Sequence, residues 1–159
     1  IMKTISFVLK VISFVVLILI WIFTIVNFKN LPETIPIHYN ITGTPDGFGP
    51  KSTIWFETTL TTALFLFLMY VSKKPNFPLL NIPQNIKKKP ILTEFIVSIL
   101  LLIIMLIFAD INYESIQNAL GKTNGLSSII HYLLGLVFIF VFGLLIYSYI
   151  ISKRQNLQG

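Results

Sequence analysis

Of the eight histidine and carboxylate side chains in this sequence, six are candidates to hold a cation or move a proton together, and they are scattered along it: His38, Asp46, Glu57, Asp110, Glu114 and His131. Imidazole nitrogens with carboxylates form a donor set for zinc or another divalent ion, and the same groups serve as acid and base in proton transfer. Their spacing follows no compact ligand pattern, and the chain has no cysteine to add a thiolate. His38 can instead bond loop backbone, and Asp46 can cap its own turn. The expectation is a site without a cofactor. A divalent ion held among His38, Asp46, Glu57, Asp110 and His131 is the alternative, and only tertiary structure could gather those groups.

The elements that must position them are apolar. With 55% apolar residues, 11% charged ones and a mean hydropathy of +0.83, the chain lies far outside the range of soluble domains. Four apolar runs, about 5–28, 54–72, 91–109 and 129–152, predict an all-α integral membrane protein, a single four-helix domain over residues 1–159. Lys10 interrupts the first run near its end, where its side chain is expected to snorkel to the headgroups. Val26-Asn27-Phe28 offers no small-residue cleavage site, so the run reads as a retained helix rather than a leader. Between Glu57 and Lys73, and again between Glu94 and Asp110, lie only 15 uncharged residues. That is roughly 22 Å of helix against a hydrocarbon core of about 30 Å, so these carboxylates belong near the membrane boundaries.

Orientation follows from the basic residues, because short cytoplasmic loops hold the excess. Lys3, Lys10, Lys73, Lys74, Lys87, Lys88, Lys89, Lys153 and Arg154 make nine on one side, against Lys29, Lys51 and Lys122 on the other. Both termini are then cytoplasmic, and the loops 31–51 and 110–128 face outward. This topology brings all six chemistry-bearing residues to the outer face and leaves Glu94 on the inner one. Lysines beside apolar runs meet lipid headgroups, which argues against nucleic acid as a partner. The inner loop, with Pro75, Pro78, Pro83 and Pro90, reads as a solvated segment pinned by its lysines. The alternative is that Phe77, Leu79, Leu80 and Ile82 lie in the headgroups or on a partner.

The outer loop from Leu31 to Lys51 has structure of its own. Ile35-Pro36-Ile37-His38-Tyr39-Asn40 is extended in character, which would place Ile35, Ile37 and Tyr39 on one face and His38 with Asn40 on the other. Thr44-Pro45-Asp46-Gly47 has the composition of a tight turn. Asn124-Gly125 marks another turn. Gly121-Lys122-Thr123 lacks the upstream glycine of a phosphate loop, with Ile116 in its place, and Asp110 to Glu114 begins like a calcium loop but has Ser115 at the turn glycine. Trp55 suits the boundary, whereas Trp21, within its run, is expected to pack.

Leu31-Pro32, Ile35-Pro36, His38-Tyr39-Asn40, Gly43, Asp46-Gly47-Phe48 and Lys51 together resemble the signature of a bacterial membrane domain of unknown function, number sixteen-forty-eight in its series. That domain forms the N-terminal half of the SdpI-type toxin-immunity proteins. The resemblance covers about twenty residues and extends to the helices on either side. It implies a multi-pass protein of the bacterial inner membrane, with Pro36, His38, Tyr39, Asn40, Gly43, Asp46, Gly47, Phe48 and Lys51 as its binding motif. From the best-known member it further implies immunity to a peptide toxin and capture of a repressor at the membrane; the four runs are expected to leave no counterpart of the additional immunity half. The resulting expectation is a non-enzymatic binding module whose outer cap recognises a peptide, a toxin or a protein partner. An accessory subunit of a larger membrane protein complex and a metal-dependent membrane enzyme are the alternatives.

Overall fold

The structure, a computed structural model, describes residues 1–156 and the side chains through residue 154. In chain order it comprises α1 (Met2–Phe28), β1 (Thr34–Tyr39), β2 (Pro45–Pro50), α2 (Thr53–Ser72), the single turn α3 (Gln84–Lys87), α4 (Pro90–Ala119) and α5 (Ile129–Asn156). The helices α1, α2, α4 and α5 are each long and apolar enough to cross a membrane. The chain is therefore a multi-pass membrane protein of the all-α class, with one small antiparallel hairpin between the first two spans.

Three of the long helices start and end within a few residues of the apolar runs, but α4 continues ten residues past Ala109. Asp110 ends the hydrocarbon-compatible stretch without ending the helix. Asn112, Ser115 and Ile116 recur at helical spacing and are buried, so the extension has an inward face of its own. It stops where Gly121 adopts a φ of 69°: the Gly121 N–H bonds the Asn118 carbonyl and the Lys122 N–H bonds the Gln117 carbonyl, each at 2.9 Å. This is the glycine-terminated Schellman arrangement. Thirty residues make a rod of about 45 Å, longer than the hydrocarbon core of about 30 Å, so the last turns stand clear of it.

Helix α4 is the centre of the bundle, packing against α1, α2, α5 and β1. The buried stripe of α1 runs Ser6, Lys10, Ser13, Leu17, Ile20, Thr24. Its small hydroxyl residues let the helices approach closely, and Ser6 and Ser13 bond the carbonyls of Met2 and Leu9 one turn back. Leu17, Phe65, Leu68, Val71, Val97, Leu101 and Met105 fill the space between α1, α2 and α4. The last span, α5, leans on α4 with most of its surface exposed to lipid. It is tied at one end by Asn85, which donates to the Ser148 carbonyl at 2.7 Å and accepts from the Ser148 hydroxyl at 2.8 Å.

Two expectations are corrected at this end of the bundle. The proline-rich loop is not simply solvated: Leu80 is buried with Phe77 and Ile82 packed around it, and Ile86 is fully enclosed. Burying four large apolar groups on the bundle itself outweighs leaving them among headgroups. Lys10 does not snorkel either. It is 7% exposed, and its ammonium donates to Glu94 Oε1 at 2.6 Å, a partner 84 residues away that charge counting along the chain cannot supply.

In the hairpin the tight turn lies at Asn40–Thr44, not at Thr44–Gly47. The Asn40 Oδ1 atom accepts from the Thr42 and Thr44 backbone N–H groups, each at 3.0 Å, and Gly43 takes the positive φ, 80°, that closes the turn. An Asn side chain folding its own backbone this way wins over the Pro-Asp-Gly signal, and Pro45, Asp46 and Gly47 become strand residues. Register irregularities on both sides of His38 break the expected alternation: Ile35 and Pro36 are buried while Ile37 is exposed. The turn docks on the loop after α4, where the Leu126 N–H donates to the Gly43 carbonyl at 2.8 Å.

Gly125, at φ 123°, faces that same carbonyl so closely that a Cβ would come within 2.5 Å of its oxygen. Gly125→Ala is expected to destabilise the protein by about 1–3 kcal/mol. Gly135→Ala, on an open face of α5 with nothing within 4 Å, is expected to be neutral or stabilising by up to about 1 kcal/mol. Denaturant unfolding in detergent micelles, followed by circular dichroism, compares the two.

Candidate functional site

The hairpin sits over the mouth formed by α1, α2 and α4, and most of its motif residues are occupied in building it. Lys51 closes its base, with its ammonium 2.9 Å from Glu33 Oε1 and its N–H on the Glu33 carbonyl at 2.9 Å. The same ammonium lies 5.5 Å from the centre of the Phe28 ring, which packs on Trp55 at 4.9 Å. Trp55 packs on Trp21 at 6.1 Å, and Trp21 donates to the Thr62 hydroxyl at 3.0 Å. Leu31, Ile35, Ile54 and Ile116 form a small core beneath. Asn40 and Gly43 make the turn, Gly47 stands opposite His38, and Phe48 projects outward, largely exposed.

The expected gathering of ionisable groups occurs only in part. His38 Nδ1 and Asp46 Oδ1 bond each other across the strands on the exposed side of the hairpin. Glu57, in the first turns of α2, and Asp110 and Glu114, on α4, belong to the interior beneath it. His131 lies exposed at the start of α5. Among the described residues, no three of His, Asp and Glu come together in an arrangement able to hold a metal ion. The five metal candidates thus divide among the hairpin's outer face, the bundle mouth and α5, because strand register turns His38 and Asp46 away from Glu57.

What does assemble is a polar interior under the hairpin. Tyr39 reaches inward from β1, and its phenol has Ser115, Glu57, Glu114 and Asn118 as neighbours. Asn112 adjoins the Glu57 carboxyl. Among the described residues, the buried polar atoms without a hydrogen-bond partner are Tyr39 OH, Glu57 Oε1, Asp110 Oδ2, Asn112 Nδ2, Glu114 Oε2, Gln117 Oε1 and Thr123 Oγ1. All seven belong to the hairpin end. Such groups are costly in a low-dielectric interior, and their concentration at one place makes this interior the candidate site. Burial pushes the Tyr39 phenol above its ordinary value of 10.0; the nearby carboxylates add to the rise, and the Ser115 hydroxyl opposes it.

Part of this interior opens sideways as a cleft of about 230 Å³ between β1, α2 and α4. Ile35, Ile37, Ile54, Phe56 and Leu60 give it apolar walls, and Tyr39, Glu57 and Ser115 give it a polar end. Sequence reasoning named Tyr39 and Glu57 but missed Ser115, Asn112 and Asn118, all on the part of α4 read as loop. Their signal was the recurrence of Asn112, Ser115, Ile116 and Ala119 at helical spacing, together with the stop at Gly121.

Residues 15–70 match the family model described as Domain of unknown function (DUF1648). The matched stretch takes in the second half of α1, the whole hairpin and nearly all of α2, so it supplies every lining residue of the cleft except those of α4. No curated protein and no solved structure matches the chain.

The raised Tyr39 pKa has a consequence for stability. A folded state that holds the phenol proton more tightly than the unfolded chain keeps that contribution in full below about pH 10 and loses it as pH rises through the folded value. Tyr39→Phe is therefore expected to lessen the alkaline loss of stability while leaving the neutral-pH fold intact. Unfolding midpoints of both proteins between about pH 9 and 12 check this, against lysine titrations common to the two.

Proposed function

We propose that this protein is a non-enzymatic recognition module of the bacterial inner membrane, and that the cleft under the hairpin receives the apolar segment of a peptide bearing an amine or guanidinium group. The observation that carries this reading is the pairing of the unpartnered Glu57 Oε1 and Tyr39 hydroxyl with apolar walls in one open cleft. Apolar walls with a few converging polar groups are the usual form of a ligand site, and a buried carboxylate seeks a cationic donor.

The distribution of nine basic residues against three favours an arrangement with the hairpin end outside and both termini in the cytoplasm. The resemblance of the motif to the SdpI-type immunity proteins favours a membrane-active peptide toxin as the ligand. The exposed His38–Asp46 pair lies outside the cleft lining, so on this reading it stiffens the hairpin, and Ile37 and Phe56 meet the peptide at the cleft mouth.

A synthetic Leu/Ala-rich transmembrane peptide carrying one lysine at its interfacial end serves as a probe, with the same peptide carrying glutamine as its control. In nanodiscs the lysine peptide is expected to bind the wild type, and Glu57→Gln is expected to weaken it by about tenfold, the worth of a charge-assisted hydrogen bond. The glutamine peptide is expected to bind weakly and equally to both proteins. Equal binding of the lysine peptide to wild type and Glu57→Gln, with helix content unchanged, overturns the reading.

A further inference from the structure

At the end of the bundle opposite the cleft, α1 and α2 part to form an open groove of about 550 Å³, whose single carboxylate is Glu94. Its chemistry is divided along its length. Lys3, Lys10 and Lys73 stand together with a single carboxylate, and Phe7, Val11, Phe14, Phe65 and Met69 continue it as an apolar wall.

The charges do not cancel. Lys10 and Lys73 both donate to the same oxygen of Glu94, each at 2.6 Å. One carboxylate thus serves two ammonium groups, and Lys3 adds a third cation, which leaves the groove with a formal charge of +2. Each ammonium carries three N–H donors, and a single acceptor oxygen uses one from each of the pair. Lys10 is fixed in place by burial, at 7% exposure, while Lys73 is exposed. A buried cation deep in the groove and exposed ones at its mouth suit an anion that enters from the membrane. Phe7, Val11 and Phe14 are themselves exposed at the groove surface, on a helix long and apolar enough to cross a membrane.

We propose that this groove binds one anionic phospholipid, with its phosphate among Lys3, Lys10 and Lys73 and an acyl chain along Phe7, Val11 and Phe14. Basic pockets between membrane helices recognise headgroups by this combination of charge and apolar wall. Glu94 holds Lys10 and Lys73 at one spacing, so the site exists before the lipid arrives and selects for negative charge rather than for headgroup size.

The test uses the full chain in a neutral detergent and native mass spectrometry, with phosphatidylglycerol and phosphatidylcholine of identical acyl chains. The wild type is expected to retain one phosphatidylglycerol, bound about tenfold tighter than phosphatidylcholine, and the double variant Lys3→Gln, Lys73→Gln is expected to lose about 25-fold in that affinity, at roughly fivefold per lysine near a headgroup. Both positions are exposed, and circular dichroism confirms that the variant is folded. The triple variant Lys87→Gln, Lys88→Gln, Lys89→Gln removes more charge from the same end of the molecule but none from the groove, and is expected to bind as the wild type does. Inorganic phosphate in millimolar excess is expected not to displace the lipid. Equal retention of the two lipids, unchanged affinity in the double variant or an equal loss in the triple variant each overturns the proposal. Full displacement by phosphate shows an anion site without a lipid and overturns the assignment as well.

Discussion

A three-way hydrogen-bonded junction of Thr24, Thr58 and Asn112 holds α1, α2 and α4 in register. The Thr24 hydroxyl donates to Asn112 Oδ1 at 3.2 Å and lies 3.4 Å from the Thr58 hydroxyl, all three residues being wholly buried. A wholly buried polar side chain must find its partner within the protein or cost several kcal/mol. Apolar side chains in lipid set no such condition, since the tails are as apolar as they are. The junction therefore settles which residues of the three helices face each other. Thr58 follows Glu57 in sequence, and Asn112 adjoins the Glu57 carboxyl, so the contact that registers the helices also brings that carboxyl to the polar end of the cleft.

The two ends of the bundle treat buried charge in opposite ways. At the hairpin end, carboxylates and amide groups are enclosed without complete pairing, in a region that α4 carries beyond the hydrocarbon. At the other end, Lys10 is enclosed and paired with Glu94, which also holds the exposed Lys73. The first arrangement is poorly stabilising. The second is a preformed cluster whose excess charge is positive. A molecule with acidic groups beneath its cap and basic ones at the opposite end presents distinct chemistry to the two faces of a membrane.

The motif that makes the outer loop recognisable is chiefly an architectural one. Asn40 and Gly43 form the turn, Lys51 and Glu33 close the base, and Leu31 and Ile35 seat the hairpin on Ile54 and Ile116. Gly43 and Gly125 then join the turn to the loop after α4. Residues that build a cap are as constrained in type as residues that touch a ligand, because a positive φ or a close backbone approach admits few side chains. Pro36 and Tyr39 are the residues of the binding motif that line the cleft.

Much of the fold was legible in the sequence. Runs of about twenty apolar residues announce membrane helices, because length and hydropathy alone satisfy the bilayer, and the extended character of the stretch around Ile35 also read correctly. Asp110 misled, since a charge ends the hydrocarbon span but not the hydrogen-bonding of a helix, and the Thr44–Gly47 turn signal lost to the Asn40 side chain. Chain order by itself thus determined four spans and a structured loop between the first two. Tertiary structure alone decided the pairing of Lys10 with Glu94, the turning of Tyr39 towards Ser115 and the separation of His38 from Glu57. Those outcomes depend on which faces of distant elements meet, and hydrogen bonds between residues 41 to 88 positions apart leave no trace in local periodicity.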